Sequence, residues 1–404
     1  MVVNKPPLGW NTWNTFEKNI NESLIIESVD AMVRNGLKDA GYEYVVIDDI
    51  WSLKERDENG RLVPDPEKFP HGMKYIADYV HKNGLKFGMY SCAGYMTCAA
   101  YPGSFEYEWI DAKTFAEWEV DYLKYDFCFH PVTVNPDILY KRMGLALANC
   151  GRDILFSACS WGEEYTPHWI KQTGAHMWRS TGDIFDTWES IKGIAVSQID
   201  KLELNGHGCF NDMDMLVVGM NGKGHVGLKG CTVEEYRTHF SFWALMASPM
   251  IIGCDIRNMD ADTEKILMNR EVIAVDQDIS AASPFVINRD RYFVNQERKP
   301  DEPFYLSERN MYKDFPIIAR FLDNGDIAIG VFNFTDAPIN RWHLTILPDS
   351  LGLPITSGKT LKLTDLWSGE EINTYNGTVF LEHLDAHCCR LFRAKVVDKK
   401  YAVL

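Results

Sequence analysis

Positive charge is scarce in this 404-residue chain. Lys and Arg number 41 against 57 Asp and Glu, a formal net charge of −16. Such a field repels phosphates, which argues against nucleic acid and anionic membrane surfaces as partners. No run of about 18 apolar residues occurs, so no spanning helix is expected. The start, MVVNKPPLGW, has neither an apolar h-region nor an A-x-A cleavage site. A cytoplasmic location is expected on that ground, or secretion if a leader has been removed. Cysteine is sparse, ten residues in all, and none falls in the paired C-x-x-C spacing of a zinc site. Most should be buried thiols that behave as small hydrophobes. H-E-x-x-H and His-rich ligand sets are absent too, so neither a metal nor a cofactor is expected. The sequons at Asn21, Asn333 and Asn376 are about what chance supplies.

What is present is apolar sequence, 46% of the residues, enough for one large domain and a smaller one. Over the first 280 or so residues, eight short apolar runs alternate with helical patterns. The runs are LGWNTW (8–13), YVVIDDIW (44–51), KFGMYSC (86–92), YLKYDFC (122–128), ILFSACSW (154–161), MWRSTGDI (177–184), CFNDMDML (209–216) and PMIIGCDI (249–256). Amphipathic periodicity predicts helices over 22–37, 72–85, 111–118, 137–149, 187–202, 232–247 and 263–275. Alternating β and α elements imply parallel strands with right-handed crossovers, and eight repeats in this length fit a (β/α)8 TIM barrel. That barrel is assigned to residues 1–282. Beyond it the pattern changes to short runs of partial period two, punctuated by turns such as Asn324-Gly325. Residues 283–404 are read as an antiparallel β-sandwich.

The barrel strands end in chemistry. Trp10 and Trp13 close the first run, Asp48, Asp49 and Trp51 the second, and Tyr90 and Cys92 the third. Lys124, Asp126 and Cys128 lie on the fourth, Ser160 and Trp161 on the fifth, Arg179 and Asp183 on the sixth. The seventh carries Asp212, Asp214 and Met215. Barrel enzymes place their sites at this C-terminal face. A single Asp at a strand end is more often a helix cap, and Trp13 alone reads as core. Lys124 and Asp126 could be an internal ion pair, although a core gains little from one. Single caps explain poorly why acids, a Lys, an Arg and several Trp gather at one end. Aromatic faces and charged hydrogen-bonding groups suit neutral sugars, and two carboxyl groups suit glycosidic bond cleavage. Gly222, Gly224 and Gly227 form a literal G-x-G-x-x-G, but no helix opens on it. It is read as a flexible loop after the seventh strand rather than a dinucleotide site.

The strings LGWNTWN, VIDDIW, YPGS, DYLKYDFC, WRSTGDI, NDMDML, FSFWALMASPMIIGCDIR and EVIAVDQD resemble glycoside hydrolase family 27, the α-galactosidases and α-N-acetylgalactosaminidases. TDLWSGEE resembles the C-terminal sandwich of that family. The resemblance implies a retaining exo-glycosidase with Asp126 as nucleophile and Asp183 as acid/base. It implies Asp48 and Asp49 on the 4- and 6-hydroxyls, Lys124 on the 3- and 4-hydroxyls and Arg179 toward the 2-position. Trp13, Tyr90 and Met215 would line the pocket, with Asp214 near it and Ser160 and Trp161 beside the 2-substituent. Cys98 and Cys128 fall where the family often has a disulfide. Phe16 and Ile50 replace other cysteine positions, which suits a reducing compartment.

The chain departs from the common α-galactosidase pattern at Cys92, Phe127, Phe185 and Ser160. Ser160 resembles the N-acetylgalactosaminidases, whereas Glu163 does not. Terminal α-D-galactose is therefore the expected substrate, with N-acetylgalactosamine or β-L-arabinopyranoside as alternatives. A non-catalytic galactose-binding barrel and a divalent-metal isomerase or aldolase are the readings from other classes. A small carbohydrate is the expected partner, and self-association is left open.

Overall fold

The computed structural model describes residues 3–288, 311–340, 344–372, 374 and 377–399. Eight short parallel strands come first: β1 (Leu8–Asn11), β2 (Tyr44–Val46), β3 (Lys86–Cys92), β4 (Tyr122–Asp126), β5 (Leu155–Ala158), β6 (Met177–Arg179), β7 (Phe210–Asp212) and β8 (Met250–Ile252). From β1 to β7 each pairs with the next, and β8 pairs with β1. The last seam closes just beyond β7. Leu216 bridges Ile252, with Leu216 N donating to Ile251 O at 2.8 Å and Gly253 N donating to Leu216 O at 2.9 Å. The barrel expected from the sequence is therefore formed.

Successive side chains on a strand point to opposite faces, so each barrel strand feeds two cores. Tyr44, Val46, Tyr122, Leu155, Met177 and Phe210 fill the barrel interior. Val45, Phe87, Leu123, Phe156 and Trp178 pack outward against the helices. Burial on both faces is why these strands read as continuous apolar runs. Helices begin where the sequence carries caps. Thr187 accepts from Ser190 N before Trp188–Gln198, and Thr232 and Glu235 form a capping box before Val233–Leu245. Three predicted helices are corrected. The one expected at 263–275 is two, Ala261–Leu267 and Arg270–Asp276, because the Asn269 side chain caps the second. That expected at 22–37 ends at Arg34, and Gly36 starts a separate short turn of helix with φ 84°. That expected at 187–202 gives way to a 3-10 segment at Ile199. Between β5 and β6 the chain makes only two 3-10 turns, Thr166–His168 and Ile170–Thr173.

The C-terminal part holds β9 (Phe285–Val286), β10 (Ile317–Phe321), β11 (Ile327–Phe332), β12 (Ile339–Asn340), β13 (Lys359–Asp365), β14 (Glu371–Ile372), β15 (His383–Leu384) and β16 (Cys389–Asp398). Six form an antiparallel sheet in the order β14-β13-β16-β11-β10-β9, and β12 pairs with β15. The Asn324-Gly325 turn joins β10 to β11, with Phe321 opposite Ile327. Ile346 forms an antiparallel bridge to Val379; residues 341–343 lie outside the described residues, as does Asn376. Both bridge residues are buried in the sandwich core.

Arg320 of β10 docks this sheet on the barrel. It is fully buried and donates to Val275 O at 3.0 Å, at the C-terminal end of helix Arg270–Asp276, where carbonyls lack intrahelical partners. Trp367 Nε1 adds a bond to Ser241 Oγ at 2.9 Å. Among the described residues no helix is long and apolar enough to cross a membrane.

Candidate active site

Parallel pairing sets the site. The register places Tyr90 beside Lys124, Cys92 beside Asp126, Lys124 beside Ser157 and Arg179 beside Asp212. Lys124 and Asp126 share one face of β4 because they are two residues apart. Lys124 Nζ donates to Asp48 Oδ2 at 2.8 Å, and Asn11 Nδ2 donates to the same oxygen at 2.7 Å. Thr12 Oγ1 accepts from Asp48 N at 3.0 Å. The ends of β1, β2 and β4 are thus tied through one carboxylate. Burial alone would depress the Lys124 ammonium, but Asp48 leads the nearby negative charges that hold it well above the ordinary lysine range.

Asp49 turns away from Lys124. Its oxygens accept from Ile50 N at 2.7 Å and from Ala99 N at 3.0 Å. Burial pushes its carboxyl up to about 6 against those bonds. Ala99 follows Cys98, which is disulfide-bonded to Cys128. The loops after β3 and β4 meet closely here: a Cβ on Gly94 would lie 2.1 Å from Cys128 O, so only glycine fits. Asp126, at 6% exposure, accepts from Tyr90 OH at 3.1 Å and from Phe127 N at 3.0 Å. Burial raises its pKa, with Lys124 opposing. Phe127 stacks on His130 at 3.9 Å and meets the edge of the half-buried Trp161 at 6.0 Å.

Across the mouth, one guanidinium nitrogen serves two acids. Arg179 Nη2 lies 2.8 Å from Asp183 Oδ1 and 2.7 Å from Asp214 Oδ2. The Asp183 side chain is 68% exposed, whereas those of Arg179 and Asp214 are buried. What burial Asp183 has would raise its carboxyl, but Arg179 outweighs that and holds it below the usual range. Trp13 opens a short helix after β1, half-buried, with its ring edge-on to His225 at 5.3 Å.

Asn11, Lys124, Cys159, Arg179, Asp214 and Met215 line one cavity at this mouth, with Asp212 on its wall. Ser160 is not among them. It is fully buried and bonds Thr166 Oγ1 at 2.7 Å. Leu155 and Ser157 point inward on β5, and period two carries that face to Cys159. Strand alternation was the signal that could have identified it. Asn11 was also missed as a site residue, and Asp212, noted at the end of the seventh strand, was given no role there. Asp212 is pushed up to about 6 by burial, with Arg179 opposing.

The glycine-rich loop after β7 is held rather than flexible. Gly222 N donates to Asp186 Oδ2 at 2.7 Å, His225 N to Thr15 O at 3.2 Å and Val226 N to Asn14 O at 3.0 Å. A Cβ on Gly224 would approach Thr15 Cα to 2.7 Å, so these glycines serve packing beside Trp13. A larger cavity of about 320 Å³ lies at the barrel–sandwich seam. It shares no lining residue with the mouth, and its His387 is already engaged by Glu235 and Asp336.

Several acids with a lysine and an arginine at the C-terminal face of a closed barrel point to a class, the (β/α)8-barrel glycoside hydrolases. The family model described as Alpha galactosidase A matches residues 5–278, and that of the alpha galactosidase C-terminal beta sandwich domain matches residues 313–394. The chain belongs to this α-galactosidase family. Alpha-galactosidase 3 of Arabidopsis thaliana is 41% identical over 391 residues, covering 97% of this chain and 82% of that protein. The crystal structure of alpha-galactosidase I from Mortierella vinacea superposes with a TM-score of 0.82 at 33% identity, covering 97% of each chain. The Saccharomyces cerevisiae α-galactosidase solved with raffinose has a TM-score of 0.81 at 28% identity, covering 98% of each.

Proposed function

We propose that this protein removes terminal α-linked D-galactose from oligosaccharides or glycoconjugates with retention at C1, Asp126 acting as nucleophile and Asp183 as acid/base. The reading rests above all on Asp126 and Lys124 sharing one face of β4 while Lys124 bonds Asp48. Nucleophile and hydroxyl grip then form one stiff unit on barrel strands, which suits positioning C1 against a carboxylate. Asp48, Asp49 and Lys124 take the 3-, 4- and 6-hydroxyls, and Tyr90, Trp13, Trp161 and Met215 form the walls. An Asp126 oxygen attacks C1 while Asp183 gives its proton to the departing glycosidic oxygen. Asp183 then takes a proton from water, whose oxygen attacks C1 and frees the Asp126 carboxylate.

In the free protein the two acids stand in the reverse order, with burial raising Asp126 and Arg179 lowering Asp183. A sugar 2-hydroxyl that draws Arg179 away from Asp183 restores a proton-holding acid. Glycosylation of Asp126 then removes its charge, which favours Asp183 as base in the second step. The burial of Ser160 against Thr166 favours galactose over N-acetylgalactosamine, since the serine leaves no open hydroxyl beside the 2-position. Two measurements test the reading. Proton NMR of the first product formed should show α-galactose; β-galactose would mean inversion. p-Nitrophenyl α-galactoside should be cleaved at least about tenfold faster than the α-N-acetylgalactosaminide; the opposite preference would overturn the substrate assignment.

A further inference from the structure

Asp214 lines the cavity, and its carboxylate is held by groups on both sides of the mouth. Its Oδ2 accepts from Ile184 N at 2.7 Å and lies 2.7 Å from Arg179 Nη2, and its Oδ1 accepts from Met215 N at 2.7 Å. Ile184 is the residue after Asp183, so Asp214 fixes the loop that carries the acid. It also takes up the same guanidinium nitrogen that bonds Asp183.

We propose that Asp214 is a positioning residue which, by competing with Asp183 for Arg179, lets Asp183 hold the proton it must deliver to the leaving group. The inference rests on Asp183 being the acid/base. Arg179 is buried and charged, so it must stay paired when it releases Asp183. Asp214 is the partner that remains. The groups whose charge acts on Asp183 are Arg179 of β6, which bonds it, Lys124 of β4, His225 of the loop after β7, Cys159 just beyond β5 and Asp214 itself. Arg179, Lys124 and His225 draw the proton off. Asp214 works against them, through its own negative charge and by sharing Arg179.

The sign follows. Asp214→Asn removes a negative charge and leaves Arg179 wholly to Asp183, so the acid loses its proton at lower pH. The substitution suits the backbone, because Asp214 sits at φ 81°, a left-handed conformation that asparagine tolerates. The amide oxygen still accepts one of the two backbone N–H groups. The test compares wild type, Asp214→Asn and Asp183→Asn on two galactosides across pH. 2,4-Dinitrophenyl α-galactoside departs without a proton, whereas melibiose needs one. For Asp214→Asn, kcat/KM on melibiose should fall at least about tenfold further than on the dinitrophenyl substrate, and the basic limb on melibiose should move about one pH unit lower. Equal loss on both substrates with an unmoved basic limb would make Asp214 a merely structural residue and overturn the inference. Asp183→Asn should show the same leaving-group selectivity, more strongly. If it shows the selectivity and Asp214→Asn does not, only this inference falls. If Asp183→Asn loses both substrates alike, the acid/base assignment falls and takes the inference with it.

Discussion

The barrel and the sandwich handle buried charge differently. At the barrel mouth Lys124, Asp48, Arg179, Asp214 and Asp126 are each ion-paired or hydrogen-bonded, and Lys124, Arg179 and Asp214 line the cavity. In the sandwich the fully buried Arg320 is spent on backbone carbonyls of the barrel. One arrangement keeps charge available for a ligand, and the other uses charge to join two sheets. The difference follows from topology. Parallel strands open all their C-terminal ends at one rim, whereas an antiparallel sheet scatters its strand ends over two edges.

If that contrast is right, removing charge should stop chemistry in the barrel and lower stability in the sandwich. Asp126→Ala should show the largest effect, a loss of at least about a thousandfold in kcat on p-nitrophenyl α-galactoside. Added azide should restore turnover and give the β-galactosyl azide; retained full activity would remove Asp126 from the mechanism. Lys124→Met comes next, with about a hundredfold loss in kcat/KM, because Asp48 loses its partner and the sugar its grip. An equal loss of thermal stability with unchanged kinetics would class the pair as structural. Arg320→Met should leave kcat at 25 °C unchanged while destabilising the fold by about 2–4 kcal/mol, read from denaturant midpoints. A kinetic defect there would blur the division between the two regions.

The smallest effect is a pH dependence of stability. Burial pushes Asp49 and Asp212 up to about 6. A carboxyl raised on folding favours the folded state while protonated, so its contribution is full below about pH 4 and lost as pH rises through about 6. Asp212→Asn removes one such group, and its Tm relative to wild type should rise between pH 4 and pH 6.5. A constant difference would show that Asp212 titrates normally.

Much of this was legible in order along the chain. Apolar runs alternating with capped helices marked the barrel, and DYLKYDFC alone placed Lys124 and Asp126 on one side of a strand. Cys159 was missed because family position was weighed above strand parity, which carries the inward face of β5 from Leu155 and Ser157 to Cys159. The helix at 263–275 was misread because Asn269 looks like one more polar residue in a helical pattern, yet its side chain starts a new helix.

The sequence by itself determined the period of each element, the caps, and which residue types end each barrel strand, because these depend on neighbours a few positions away. Only the tertiary structure decided which acid each base serves. Lys124 meets Asp48 across 76 positions, Arg179 is divided between Asp183 and Asp214, and Asp49 is enclosed by the loop that carries Ala99. Charge interactions and desolvation depend on distance through space, and barrel closure sets those distances.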